Sequence, residues 1–354
     1  MASPFAAWTG SLPLAKFAAN GDKKSASEGT SMIRRSLLAL GAIAFGMHFA
    51  PSAQAQSWPT RSVKFIVPLG PGSGVDIGSR LIADRLSQKW GKPVVVENKP
   101  GGDAIVAISA FTQANDDHVL LMAPTSTFTA HPFLHEKLPY EAKDLVPIAR
   151  VSNTVVAVGV PVSLGINSLD DLLARAKAEP GKLNSASATG ANDFVAAGFL
   201  KQSGADVTRV PYRDTVQAIN DLAEGRIQLY VAAYAIMRPQ VQAGKVKVIA
   251  ITNSERAPML AEVPTAKEAG HPGLTIDGLV GLFGPKEMPK ELRDRIAADV
   301  IAAASEPDVA AKIGSTGQIV RPGGAEEFAK EIDVQSKVVS DAAAAAGVKR
   351  MLQN

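Results

Sequence analysis

Cysteine is absent from all 354 residues. That removes disulfides, thiolate zinc sites, cysteine nucleophiles and lipid anchoring through a cysteine. Aromatic residues amount to 5%, and no basic stripe runs through the chain, so neither the stacking surface nor the clustered cations of a nucleic-acid binder are present. Net charge is small, +3, and its source is local. Lys16, Lys23, Lys24, Arg34 and Arg35 face only Asp22 and Glu28 within the first 55 residues; without them the totals of 37 basic and 34 acidic residues become 32 of each. The apolar run from Leu37 to Phe49, about 13 residues, falls short of the ~20 that cross a bilayer. Hydrolase motifs are missing as well. No serine sits in G-x-S-x-G, and His131 and His135 lack the glutamate of H-E-x-x-H. Pro132 between them argues against a regular helix there. They read as surface or turn histidines, as do His118 and His271, and no metal site is expected.

What is present begins with an export signal. Met32-Ile-Arg-Arg-Ser is a basic start, Leu37–Phe49 the apolar middle, and Ala53-Gln-Ala55 a small-residue cleavage site, with the cut expected after Ala55. Residues 32–55 are therefore a signal peptide, of the general or the twin-arginine kind. Residues 1–31 have no pattern and read as a disordered or mis-started extension. The expected location is the periplasm.

The remaining chain, 46% hydrophobic and 20% charged overall, has the balance of a globular protein. Val63–Val67 is a short apolar run bounded by turns, the mark of a buried parallel strand. Ile77, Leu81, Ile82, Leu86 and Trp90 follow at helical spacing until Gly91. Val94–Val96, a helix over Ala104–Ala114, and Val119–Met122 extend this to β-α-β-α-β, which predicts a parallel, doubly wound sheet. Val155–Val160 starts a second set. Ser168-Leu-Asp-Asp171 reads as a capping box. Strands are expected at Leu183–Ser187, Val207–Val210, Ile227–Ala232 and Val246–Ile251, with helices near 191–203 and 214–224 between them. Gly278–Phe283 carries the chain back, and helices follow over Pro289–Ser305 and Ala325–Ala346. The pattern predicts two doubly wound α/β lobes joined by two crossovers: 58–156 with 278–354, and 157–277.

Ligand sites in such lobes lie beyond the carboxyl ends of the strands. Four polar turns fall there. The first is Leu69-Gly-Pro-Gly72-Ser73-Gly74-Val-Asp76, the second Thr125-Ser126-Thr127, the third Ser187-Ala-Thr189-Gly190-Ala-Asn192, and the fourth Tyr212-Arg213-Asp214-Thr215. Each puts N–H groups and hydroxyls at a helix start, where an anion is favoured; each is also an ordinary place for a helix cap. A dinucleotide reading competes, because Gly70, Gly72, Gly74 and Gly78 follow a strand and Glu97 ends the next one. Against it stand the long G-x-G-x-x-x-G spacing, Pro71 without an N–H, and export from the cytoplasm.

The chain resembles the periplasmic solute receptors of the tripartite tricarboxylate transporters, the Bug family. The matching segments include Phe65-Ile-Val-Pro68, Pro71-Gly72 with Asp76, Val94-Val-Val-Glu-Asn-Lys-Pro-Gly101, Leu138-Pro-Tyr140, Pro180-Gly-Lys-Leu-Asn184, Val210-Pro-Tyr212, Ala243-Gly-Lys245, Val263-Pro-Thr265 and Gly281-Leu-Phe-Gly-Pro285. They cover essentially all of 58–354. The resemblance implies a periplasmic-binding-protein-like fold of type II, a Venus flytrap, with no catalysis and no cofactor. It implies a monomer that captures a small carboxylate for membrane permease subunits. Ligand contacts are implied at Leu69, Gly72, Ser73, Gly74, Asp76, Thr125, Ser126, Ser187, Thr189, Gly190, Asn192, Arg213 and Tyr234. Departures bear on the ligand. Ser73 stands where the family carries glycine, Arg213-Asp214 where it often has Lys-Gly, and Ala232 where an acid is common. Without that acid a ligand amine loses a partner, so plain di- or tricarboxylates and aromatic acids suit the site better than amino acids. Two alternatives remain: a nicotinamide-dependent dehydrogenase, and a sensor that presents its bound state to a signalling partner.

Overall fold

The computed structural model describes residues 58–187, 190–212 and 214–351. The expected signal segment and the extension before it, together with Thr189 and Arg213, lie outside the described residues. Among those described are eleven strands and ten α-helices.

Strand β1 (Val63–Val67) exposes only Lys64. After the glycine-rich turn, helix α1 (Gly74–Trp90) starts on Ser73, whose Oγ accepts from Asp76 N, and stops on Gly91 in the left-handed region at φ 65°. Glycine meets that geometry without the Cβ clash other residues suffer. β2 (Val94–Asn98), α2 (Ile105–Ala114) and β3 (Val119–Pro124) complete the expected alternation, with β2 and β3 parallel to β1 on either side. α3 (Thr125–Leu134) follows directly on β3 and carries Pro132 inside it. This corrects the expectation of no regular helix there. Pro132 lies in the last turn, where it cannot donate to the carbonyl four residues back, and the helix ends two residues later. His131 in that turn is held by Tyr140 Oη and by the carbonyl of Asp103.

β4 (Val146–Thr154) is a strand the hydrophobic pattern did not reveal. It buries Arg150, Ser152 and Asn153, and each side chain reaches a distant partner, although Asn153 Oδ1 is left without one. Arg150 Nε donates to the Arg321 carbonyl at 2.7 Å, and its guanidinium pairs with Glu327 and Glu331. Ser152 Oγ donates to Gln318 Oε1. β5 (Val156–Pro161), α4 (Leu169–Ala178), β6 (Leu183–Ser187), α5 (Ala191–Gln202), β7 (Val207–Pro211), α6 (Thr215–Ala223), β8 (Tyr230–Ala233), α7 (Tyr234–Gln242) and β9 (Val246–Ile251) build the second set. β10 (Gly278–Gly284), α8 (Lys290–Ser305), α9 (Pro307–Ser315), β11 (Gln318–Gly324) and α10 (Ala325–Ala346) return to the first.

The first sheet has the order β11-β4-β10-β3-β1-β2. It is mixed rather than parallel throughout: β10 runs against both β3 and β4, and β11 against β4. The strands that arrive after the second crossover enter from the opposite end, and βα repetition cannot impose its direction on them. In the second set β6 and β7 are parallel, while β5 runs against both β8 and β9; a bridge from Ser185 to Leu229 joins the two groups. The fold is thus two α/β lobes with parallel strand pairs at their hearts.

The crossovers lie side by side and clasp each other. Asn253 Oδ1 accepts from Val156 N at 2.9 Å, Asn253 Nδ2 donates to the Thr154 carbonyl at 3.0 Å, and Ser254 Oγ donates to Asp277 at 2.7 Å. α10 connects the sets a third way. Phe328 near its start is buried in the first core, whereas Val339 and Ala343 belong to the core around α4 and α5. Its approach to α5 is close enough that a Cβ on Gly198 would stand 2.7 Å from the Ala342 carbonyl oxygen.

Candidate functional site

The turn after β1 is tightly bonded within itself. Asp76 is buried, and its carboxylate accepts from Gly72 N at 2.8 Å, Arg80 Nε at 3.0 Å and Asn98 Nδ2 at 2.8 Å. Burial alone would raise its pKa, but the hydrogen bonds from Arg80, Asn98 and Gly72 together hold it below the ordinary carboxylate range. Gly72 takes φ 82° with open space around its Cα. Gly74 is needed for another reason: a Cβ there would meet Gln318 Nε2 at 2.9 Å.

The turn after β6 is different. Gly190 has φ 127° and ψ 177°; among the described residues α5 starts with no side-chain cap, and the buried carboxamide oxygen of Asn192 has no partner. Beside it Asp193 pairs with Arg209, whose Nη2 also donates to Ser187 Oγ at 3.0 Å. Burial raises the pKa of Asp193 against the pull of Arg209 and Ser187. Tyr230 is pushed up to about 12, by burial first and by the Asp193 charge second.

Two cavities open between these turns. The larger, about 770 Å³, is walled by Gly72, Ser73 and Gly74 on one side and by Asn192, Tyr230 and Ile236 on the other. The smaller, about 370 Å³, is bounded by Gly70, Ser126, Thr127, His131 and Gly190. Leu69 and Asn192 belong to the walls of both. Of the residues expected at a ligand, the structure therefore brings Leu69, Gly72, Ser73, Gly74, Ser126, Gly190 and Asn192 to the cavity walls.

The others lie elsewhere. Asp76 sits beneath the first turn. Thr125 is buried and donates to Gln335 Oε1 at 2.7 Å. Ser187 engages Arg209, and Tyr234 is buried in the second core while its neighbours Ala233 and Ala235 reach the larger cavity. Thr189 and Arg213 are outside the described residues. The cavity also has walls that the sequence did not suggest: Asp193, Arg238, Thr316 and Gln318. The last two open and begin β11, whose Pro322-Gly323-Gly324 hid the strand. Arg238 precedes Pro239 within α7, which hid the helix. Glu97, the acid a dinucleotide would need for its ribose, is bonded to Lys64 and Lys99, both at 2.6 Å; these ion pairs hold its pKa below the ordinary value. No described helix is long and apolar enough to cross a membrane.

Residues 79–342 match the model of the tripartite tricarboxylate transporter family receptor. A Pseudomonas protein encoded in the tcbD-tcbE intergenic region is 30% identical over 304 residues, covering 84% of this chain and 90% of that protein. Among solved structures, MatC from Rhodopseudomonas palustris with bound malate is similar at 27% identity and a TM-score of 0.65, covering 80% of this chain and 100% of its own. A second R. palustris protein, solved with adipate, is similar at 25% identity and a TM-score of 0.71, with 82% and 99% covered.

Proposed function

We propose, from the premise that this chain belongs to the tripartite tricarboxylate transporter receptor family, that it captures a small carboxylate between its two lobes and delivers it to the membrane permease of such a transporter. The relatives are periplasmic binding proteins, two of them solved with malate and adipate. On this reading the lobes are 58–156 with 278–354, and 157–277. The chain is exported, cut after Ala55, monomeric and without catalysis of its own.

One observation carries the reading. Asn192 lines both cavities, and its buried carboxamide oxygen has no partner among the described residues. A flip of the amide would present Nδ2 to an anion where Oδ1 would meet a hydroxyl. An unpaired buried polar atom is costly, and a ligand that pairs it removes that cost. Across the gap the N-terminus of α1 presents backbone N–H groups and the positive end of its dipole. Three to five charge-assisted hydrogen bonds of roughly 1.5–3 kcal/mol each, less the several kcal/mol that association costs, correspond to about micromolar affinity. Closure would turn on the paired crossovers at Val155–Gly159 and Asp277–Leu279.

A thermal-shift series with malate, adipate and benzoate tests this. At about a hundred times Kd a bound acid adds ~2.7 kcal/mol to stability, and the melting temperature should rise accordingly. If no carboxylate raises it, the reading fails; if NAD binds saturably instead, the dehydrogenase takes its place.

A further inference from the structure

We infer that Arg238 reads a second carboxylate, so that the site selects elongated diacids over monoacids of the same length. This rests on the carboxylate reading above. Arg238 lies on α7, in the second lobe, yet its Nη1 donates to the Ser315 carbonyl at the end of α9, in the first, at 2.8 Å. Among the described residues that is its one hydrogen bond. The guanidinium carries five donors in a flat fork, so most of its capacity is uncommitted. Arg238 also lines the larger cavity.

The wall of that cavity mixes polar residues, Ser73, Asn192 and Gln318 among them, with the apolar Leu69, Ile77, Ala232 and Ile236. The second ionised wall residue, Asp193, is already neutralised by Arg209. Among the described residues Arg238 is thus the uncancelled charge on the wall, and a planar fork suits a carboxylate. A volume of about 770 Å³ sits in the upper part of the ~300–1,000 Å³ range that takes drug-sized ligands. A four-carbon acid leaves much of it empty. An acid with an apolar chain of several carbons fills more of it against Leu69, Ile77 and Ile236 and leaves a second carboxylate free for Arg238.

Arg238 has an evident structural role too, capping the C-terminus of α9 across the cleft. A cap alone would favour closure over every ligand equally. The test separates the two roles by a ratio. Isothermal titration of the purified protein compares hexanoate with hexanedioate and octanoate with octanedioate. In the wild type each diacid should bind about tenfold or more tighter than its monoacid, the size of one added charge-assisted bond. Arg238→Gln should bring both ratios close to one, and Arg238→Lys, which keeps the charge but loses the fork, should leave them between. Melting of the unliganded variants reports whether they fold. A wild type that binds both classes alike overturns the inference, as does an Arg238→Gln protein that keeps the ratio while all affinities fall together. Binding by neither class instead overturns the carboxylate reading beneath it.

Discussion

Two strand-turn-helix junctions face the same gap, and they are built on opposite principles. After β1, every side-chain group in the turn has a partner: Ser73 caps α1, and Asp76 gathers Gly72, Arg80 and Asn98. After β6, α5 begins on a glycine with no cap, and Asn192 leaves a buried oxygen unpaired. The first junction is a finished wall. On the proposed function, the second is completed by the ligand. Rigid N–H donors on one lobe and the unpaired amide oxygen of Asn192 on the other suit a receptor whose ligand draws the lobes together, because only a bound state engages both.

That contrast can be broken at four positions. Asp76→Ala should have the largest effect, a loss of about 2–4 kcal/mol in urea unfolding, since three hydrogen bonds to a buried carboxylate disappear together. The lock should also be sensitive to acid. The folded pKa of Asp76 is depressed, so its contribution is complete above the unfolded value of about 3.9 and is lost as pH falls through the lower folded value. The stability gap between wild type and Asp76→Asn should accordingly shrink below about pH 4. Gly190→Ala comes next. At φ 127° and ψ 177° the backbone occupies a region essentially reserved for glycine, worth about 1–3 kcal/mol, and the shifted α5 start should weaken ligand binding as well. Asn192→Ala should do the reverse of Asp76→Ala: little change in unfolding, or a slight gain, with affinity for adipate or another bound acid reduced about tenfold, the worth of one charge-assisted bond. If Asn192→Ala leaves every affinity unchanged, the open junction is not the ligand's. Ser73→Ala should be the smallest, about 1 kcal/mol of capping and a minor loss of affinity, because its Oγ is already spent on Asp76 N.

The contrast itself was not legible in the chain. Both junctions read alike as polar turns before amphipathic helices. Asp76 and Asn192 looked equally suited to a ligand until Asn98, 22 residues from Asp76, was found bonded to it. Thr125 was discounted in the same way by Gln335, 210 residues distant. Besides β11, β4 is not legible in the sequence, because its interior holds Arg150, Ser152 and Asn153, whose burial is tolerable only through partners on β11, α10 and the second crossover.

By itself the sequence determined what local chemistry can decide. The alternation of apolar runs with amphipathic helices, the glycine stops, and the position of each polar turn after a strand all follow from periodicity and from φ preferences within a few residues. The tertiary structure alone decided which polar groups remain free. A hydrogen bond is satisfied by whichever partner the fold brings within 3 Å, and sequence distance carries no information about that. So the lock on Asp76, the open oxygen of Asn192 and the reach of Arg238 across to Ser315 belong to the packing of the two lobes, and with them the shape and charge of the cleft.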